Sequence, residues 1–186
     1  MKPMWCSSIS IFRMAPGFIE VRLIEEKKPG EVVKRAWFPT VDELLAALPA
    51  HRKLADERKA AVFFGVLRRR DRGKGKAADV IAGHVAWTDL DYKDFPGGEA
   101  EARKRLAEFP VQPSIVVRSA HGLHAYWLMR EATKPEELSA ISRGLAQVLG
   151  GDHAFDAARI LRMPGTNNWK DPEHPILVEI ELLEPE

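Results

Sequence analysis

Apolar residues along this chain switch back and forth between the alternation of a strand and the three-to-four spacing of a helix. Gly17 to Glu25 and Glu31 to Phe38 alternate apolar and polar side chains in β-branched-rich runs. With Lys27-Lys28-Pro29-Gly30 between them, they read as a strand pair. Thr40 and Glu43 form a capping-box signature for a helix beginning at Val41, stopped at Pro49 or extended through Pro49 to Lys59. Ala61 to Leu67 is a continuous apolar strand, His84 to Tyr92 another, and Gly98 to Phe109 a helix ended by Pro110. Ser114 to Ser119 and His124 to Met129 read as strands joined by Ala120-His121-Gly122-Leu123. Thr133 and Glu136 suggest a second capping box, for a helix running to Leu149 and closed by Gly150-Gly151. Ala158 to Met163 and Ile176 to Leu183 are the last strands. Such interleaving predicts an α+β, mixed α/β domain. At 186 residues there is room for one ordinary domain.

Charge narrows the functional classes. Twenty-eight Lys and Arg against 27 Asp and Glu leave a formal +1, which argues against a histone-like basic coat and an acidic disordered tail. That balance conceals two opposed blocks. Arg68, Arg69, Arg70, Arg72, Lys74 and Lys76 stand against Asp71 in one glycine-punctuated stretch, whereas residues 171–186 hold six acids and no Lys or Arg. The basic stretch reads either as a phosphate-binding arm or as a solvated loop. One cysteine, Cys6, allows neither an internal disulfide nor a cysteine-built zinc site, so a reducing cytoplasm is expected and no zinc. No apolar run approaches a membrane span, and the N-terminus lacks the apolar core of a signal peptide.

Three local patterns carry chemistry. In Trp87-Thr88-Asp89-Leu90-Asp91 strand alternation puts Asp89 and Asp91 on one face. Adjacent carboxylates repel unless a cation lies between them, and Mg²⁺ or Mn²⁺ binds such oxygens together with substrate phosphates. The bland reading is a pair exposed at a strand end. His124 and Tyr126 share a strand face just after Ser119 and Gly122, small residues that permit close approach to the backbone. Asp156, followed by Arg159, Arg162 and Lys170, offers a third carboxylate amid cations suited to a triphosphate, or else a surface ion pair.

In this order and spacing, WTDLDYK (87–93), GLHAYW (122–127) and FDAARILRMPGTNNWK (155–170) resemble the motifs of the archaeo-eukaryotic primase superfamily. The likeness is to the primase-polymerase domains of plasmids, phages and other mobile elements, and it covers roughly residues 17–170. It implies an RRM-like catalytic sheet paired with a second small α/β unit, the active site lying in the cleft between them. One catalytic domain is expected over residues 1–186, with an N-terminal α/β unit to about residue 80 and the RRM-like unit after it. The implied reaction is template-directed nucleotidyl transfer from an NTP or dNTP on single-stranded DNA with two divalent metals, Mg²⁺ or Mn²⁺, as in primer synthesis.

Under the resemblance Asp89, Asp91 and Asp156 are the metal ligands, with Asp152 in reserve for Asp156. His124, with His121 as competitor, and Ser119, Arg159, Arg162 and Lys170 contact the nucleotide. Residues 68–76 hold the template or triphosphate. Partners would be a DNA template, a nucleotide, and a helicase or helical accessory domain. The rival readings are a primase-like domain that binds single-stranded nucleic acid without catalysis, a two-metal nuclease and a rolling-circle initiator. The last needs a His-x-His pair, whereas His121 and His124 are three apart.

Overall fold

In a computed structural model, which describes residues 16–26 and 31–183, the alternating runs become strands whose apolar faces build two clusters. The first sheet contains β1 (Ile19–Glu25), β2 (Val32–Phe38), β3 (Ala60–Gly65) and β7 (Ile160–Arg162), in the order β2-β1-β3-β7 and antiparallel throughout. The second contains β4 (Gly83–Asp91), β5 (Ile115–Arg118), β6 (Gly122–Thr133) and β10 (Glu179–Leu183), in the order β10-β5-β6-β4. A two-stranded ribbon, β8 (Asn167–Asn168) with β9 (Ile176–Leu177), completes the strands. Three α-helices are described: α1 (Val41–Arg58), α2 (Gly98–Glu108) and α3 (Pro135–Leu149). The turn residues 27–30 lie outside the described residues, but β1 and β2 pair as expected, Ile19 opposite Phe38.

Ile19, Val21 and Leu23 of β1 are fully buried with Val62 and Phe64 of β3 and Leu44 and Leu48 of α1. Helix α1 does not stop at Pro49. It continues to Arg58 because His51 and Ala55 prolong the buried stripe that Leu44 and Leu48 begin. Thr40 caps it as expected, its Oγ1 accepting the Glu43 N–H at 3.2 Å. The second capping box does not form: Thr133 ends β6, and α3 starts at Pro135 after Lys134 without a side-chain cap. Proline at the first helical position supplies a preset φ and needs no partner for a missing N–H. Gly150, in the left-handed conformation at φ 80°, ends that helix.

The two faces of the second sheet have different work. Val85, Trp87, Ile115, Val117 and Tyr126 join the core shared with the first sheet. Leu90, Val116, Leu123, Ala125 and Trp127 pack instead with Phe95 and with Ala102 and Leu106 of α2. Asp89 and Asp91 follow Trp87 at intervals of two, so they continue the face that looks toward the first sheet. The units are not successive halves of the chain. Strand β7, from residues 160–162, returns to pair with β3, Phe64 opposite Leu161. Among the described residues no helix is long and apolar enough to cross a membrane.

Two cations of the expected DNA-binding block turn out to anchor the first sheet. Arg69 is fully buried: Nε donates to Glu20 Oε2 at 2.9 Å, Nη1 to the Leu67 carbonyl and Nη2 to the Ala158 carbonyl. Arg68, also buried, donates to the carbonyls of Gly17 and Pro39. Each guanidinium ties off backbone oxygens where β3 leaves the sheet. Arg70, Arg72, Lys74 and Lys76 are exposed.

Candidate active site

The end of β4 and the start of β6 hold the site. Strand register places Asp89 opposite His124 and Asp91 opposite Gly122. That pairing works because the strands close tightly: a Cβ on Gly122 would lie 2.5 Å from the Leu90 carbonyl oxygen and 3.0 Å from Asp91 Cα. Gly122→Ala is therefore expected to wedge the two strands apart at Asp91, costing about 1–3 kcal/mol. Thermal melting of the variant should show a fall of several degrees.

His124 Nε2 lies 3.9 Å from Asp89 Oδ1, with the imidazole 2% exposed. Burial first, and the charge of Arg162 second, push its pKa down to about 3, so the ring is neutral at physiological pH. Its Nδ1 is buried without a hydrogen-bond partner. Asp89 is perturbed in the opposite direction: burial, then the neighbouring Asp91 charge, raise its carboxyl to about 6 against the pull of Arg162, Arg159 and Lys170. Asp91 is held below the usual carboxylate range: burial would raise it, but hydrogen bonds from the Lys93 side chain and backbone outweigh that. Lys93 Nζ stands 2.5 Å from its Oδ2.

A third carboxylate reaches the site from the turn after α3. Gly150 and Gly151 bring the chain down onto β4, where a Cβ on Gly151 would meet Thr88 Oγ1 at 2.4 Å. The next residue, Asp152, donates its backbone N–H to the Asp89 carbonyl at 3.0 Å. Burial and the Asp89 charge raise its carboxyl, and its Oδ1 accepts the Ala154 N–H at 2.7 Å. Trp87 braces this turn from beneath, its indole N–H donating to the Ala154 carbonyl at 2.5 Å. Asp156 is placed differently. Its side chain is 53% exposed and pairs with Arg159 at 2.7 Å.

The remaining expected residues divide between the site and its supports. Arg162 pairs with Glu26 at 2.6 Å and stacks on Phe63, yet its charge reaches both Asp89 and His124. Arg159 and exposed Lys170 add to the positive field at Asp89. Ser119 is buried, its hydroxyl donating to the Gly122 carbonyl at 3.1 Å, so it shapes the turn before β6. His121 is exposed in that turn, its carbonyl accepting the Tyr92 N–H. Sequence reasoning gave no role to Asn168, which is buried and donates Nδ2 to the Ser119 carbonyl at 2.8 Å, pinning the β8 ribbon to the His124 turn. Its position after the Pro164-Gly165 turn was the one available signal.

Carboxylate oxygens that raise one another's pKa suit a hard divalent cation, which would relieve the repulsion. Among the described residues no three His, Cys, Asp or Glu side chains lie close enough together to hold a metal ion. Asp91 is turned to Lys93 and Asp152 to Ala154. The donor chemistry fits, since a divalent cation can take the place of the Lys93 ammonium beside Asp91.

Acidic residues of β4 and of the turn after α3 thus lie beside a buried neutral histidine and a cationic flank. Comparison with solved structures identifies the fold. No family model and no curated protein matches the sequence. The structure is similar to the archaeo-eukaryotic primase domain of the cyanophage S-2L primase-polymerase, with TM-score 0.69 and 16% identity over 96% of this chain and 88% of that one. It is also similar to the catalytic domain of primase RepB′ in complex with initiator DNA, with TM-score 0.67 and 15% identity over 97% of this chain and 85% of that one. In a second RepB′ structure this chain spans 54% of the other. The polymerase domain of Mycobacterium tuberculosis ligase D in complex with DNA aligns with TM-score 0.54 and 12% identity, over 95% of this chain and 78% of that one. The chain has the archaeo-eukaryotic primase-polymerase fold.

Proposed function

We propose that this protein is a DNA primase-polymerase, transferring nucleotides from an NTP or dNTP onto a strand directed by single-stranded DNA, in the replication of a plasmid, phage or other mobile element. The observation that carries this reading is the juxtaposition of Asp89, Asp91 and neutral His124 across β4 and β6, within this fold. Asp89, Asp91 and Asp152 are the residues that would hold Mg²⁺ or Mn²⁺. When bound, such ions activate an attacking hydroxyl and stabilise a leaving pyrophosphate.

The chain's own groups supply the rest. Neutral His124 has one nitrogen to donate to a phosphate oxygen while adding no buried cation of its own. Arg162, Arg159 and Lys170, which already lower Asp89, provide the positive field in which a triphosphate sits. Trp87, Phe64 and Tyr126, buried together, support β4 and β6 beneath these groups.

Single-stranded template, Mn²⁺ or Mg²⁺ and labelled NTPs or dNTPs provide the test: extended products separated by length support the reading, and their absence under every metal and nucleotide overturns it. The two candidate third ligands are separated in the same assay. Asp152→Asn is expected to lower transfer at least about 100-fold. Asp156→Asn, which loses only an exposed ion pair, should stay within about threefold of wild type.

A further inference from the structure

Glu26 lies outside the site, yet it holds one of the cations that act there. Arg162 on β7 reaches back over Phe63 of β3, its guanidinium 5.1 Å from the ring centroid. Its Nη2 donates to Glu26 Oε1 at 2.6 Å, just beyond the end of β1. Because β1 and β7 flank β3, the pair spans three strands, and its members are 136 residues apart in sequence. Both side chains are largely enclosed, Arg162 16% and Glu26 17% exposed. Arg162 Nε is buried with no partner.

The guanidinium has a second acid within electrostatic reach. Its charge lowers both Asp89 and His124. Among the described residues no Lys or Arg is paired with Asp89, whose neighbour across the strands is the neutral His124. A buried carboxylate without a counter-ion attracts an arginine, and a long side chain closes the gap unless something holds it. A guanidinium closed on Asp89 would occupy the oxygens that a divalent cation needs. Glu26 and Phe63 remove that freedom: the carboxylate fixes the direction of the guanidinium, and the ring fixes its plane. Arg159 is held far more loosely, since its partner Asp156 is 53% exposed and only three residues away, where solvent screens the pair.

We propose that Glu26 is a positioning residue: it tethers Arg162 toward β1 and apart from Asp89, so that the Asp89 carboxylate stays open to Mg²⁺ or Mn²⁺. The metal as ligand rests on the function proposed above; the hold on Arg162 does not.

Mn²⁺ affinity, read from the electron paramagnetic resonance of the free ion, tests the tether without any nucleotide transfer. Glu26→Gln should weaken Mn²⁺ binding about tenfold, because the released guanidinium moves toward Asp89. Arg162→Met should bind Mn²⁺ at least as tightly as wild type. Adding Glu26→Gln to Arg162→Met should then change the affinity by less than about twofold, since the group through which Glu26 acts is gone. In transfer assays the Glu26→Gln deficit should appear in the Mn²⁺ concentration needed for half-maximal rate, with the rate at saturating Mn²⁺ within about threefold of wild type. Should Glu26→Gln fail to fold, Glu26→Asp takes its place, with a loss of Mn²⁺ affinity expected in the wild-type background and none beside Arg162→Met.

Unchanged Mn²⁺ affinity in Glu26→Gln overturns the tether. So does a loss that persists undiminished beside Arg162→Met, because Glu26 would then act by some route other than the guanidinium. Wild type that binds no Mn²⁺ overturns it as well. Nucleotide transfer by the same proteins keeps the two ideas apart. Coupling between Glu26 and Arg162 in Mn²⁺ binding, with no transfer by wild type, sustains the tether and sinks the polymerase reading. Transfer by wild type without that coupling does the reverse.

Discussion

Asp89→Asn is expected to abolish nucleotide transfer, by about 10³-fold or more, while making the metal-free protein more stable at neutral pH. The two effects have one origin. Burial and the Asp91 charge lift the Asp89 carboxyl from 3.8 to about 6, so at neutral pH the fold carries an ionised group it disfavours. An acid with a raised folded-state pKa costs stability as pH rises: the unfolded chain releases its proton near 3.8, and the folded one holds on until about 6. The penalty is complete above pH 6, and at about 1.4 kcal/mol per unit it amounts to at most about 3 kcal/mol. Asparagine keeps the shape and removes the charge. In EDTA at about pH 7.5 the variant should melt several degrees above wild type, with the gap closing as pH falls toward about 4. Added Mn²⁺ should stabilise wild type and leave the variant almost unmoved. A variant that melts at or below wild type in EDTA would mean that Asp89 bears no such strain, and one that still extends primers would remove it from the site.

Glu20→Gln should be the most destabilising single change in the first sheet. Glu20 is completely buried and accepts from Arg22 at 2.7 Å, Arg35 at 2.5 Å and Arg69 at 2.9 Å. Burial alone would raise its carboxyl, but the hydrogen bonds from Arg22 and Arg35 and the charge of Arg69 outweigh that and hold it below 4.5. Removing the anion leaves Arg69 enclosed with no counter-charge, and breaking a buried pair in this way costs about 3–5 kcal/mol. That corresponds to a fall in melting temperature of about 10 °C. For a carboxylate with a lowered folded-state pKa, the stabilisation is present above its unfolded value of 4.5 and is lost as pH falls through the folded value. Wild type should therefore lose stability below about pH 4.5 more steeply than Glu20→Gln does, and the two melting curves should converge in acid. Arg69→Met leaves Glu20 with Arg22 and Arg35 but strips the Leu67 and Ala158 carbonyls of their donor.

Which parts of the site were legible in the sequence follows from the range of the forces involved. Asp89, Asp91 and His124 could be placed on strand faces from alternation alone, and β4 and β6 do present them together. Asp152 and Asp156 could not be ranked that way. They lie four residues apart in irregular chain, and what separates them is Gly151 packed under Thr88 and the Asp152 N–H bonded to Asp89, across more than sixty residues of sequence. The basic run 68–76 likewise reads as six equivalent cations until Glu20, Gly17 and Pro39 claim two of them. Pro49 and Thr133 mislead for the same reason, because local rules yield where a buried stripe or a strand pairing has more to gain.

Spacing over a few neighbouring residues was enough for the mixed α+β character, the caps at Thr40 and Gly150, and the strand faces carrying the acids and the histidine. Long-range packing sets the rest: β7 completes the first sheet, Asp152 rather than Asp156 lies against Asp89, and Arg68 and Arg69 are internal. Those outcomes are set by burial and charge pairing between segments far apart in the chain, where the cost of enclosing an unpartnered charge or backbone oxygen selects the partner.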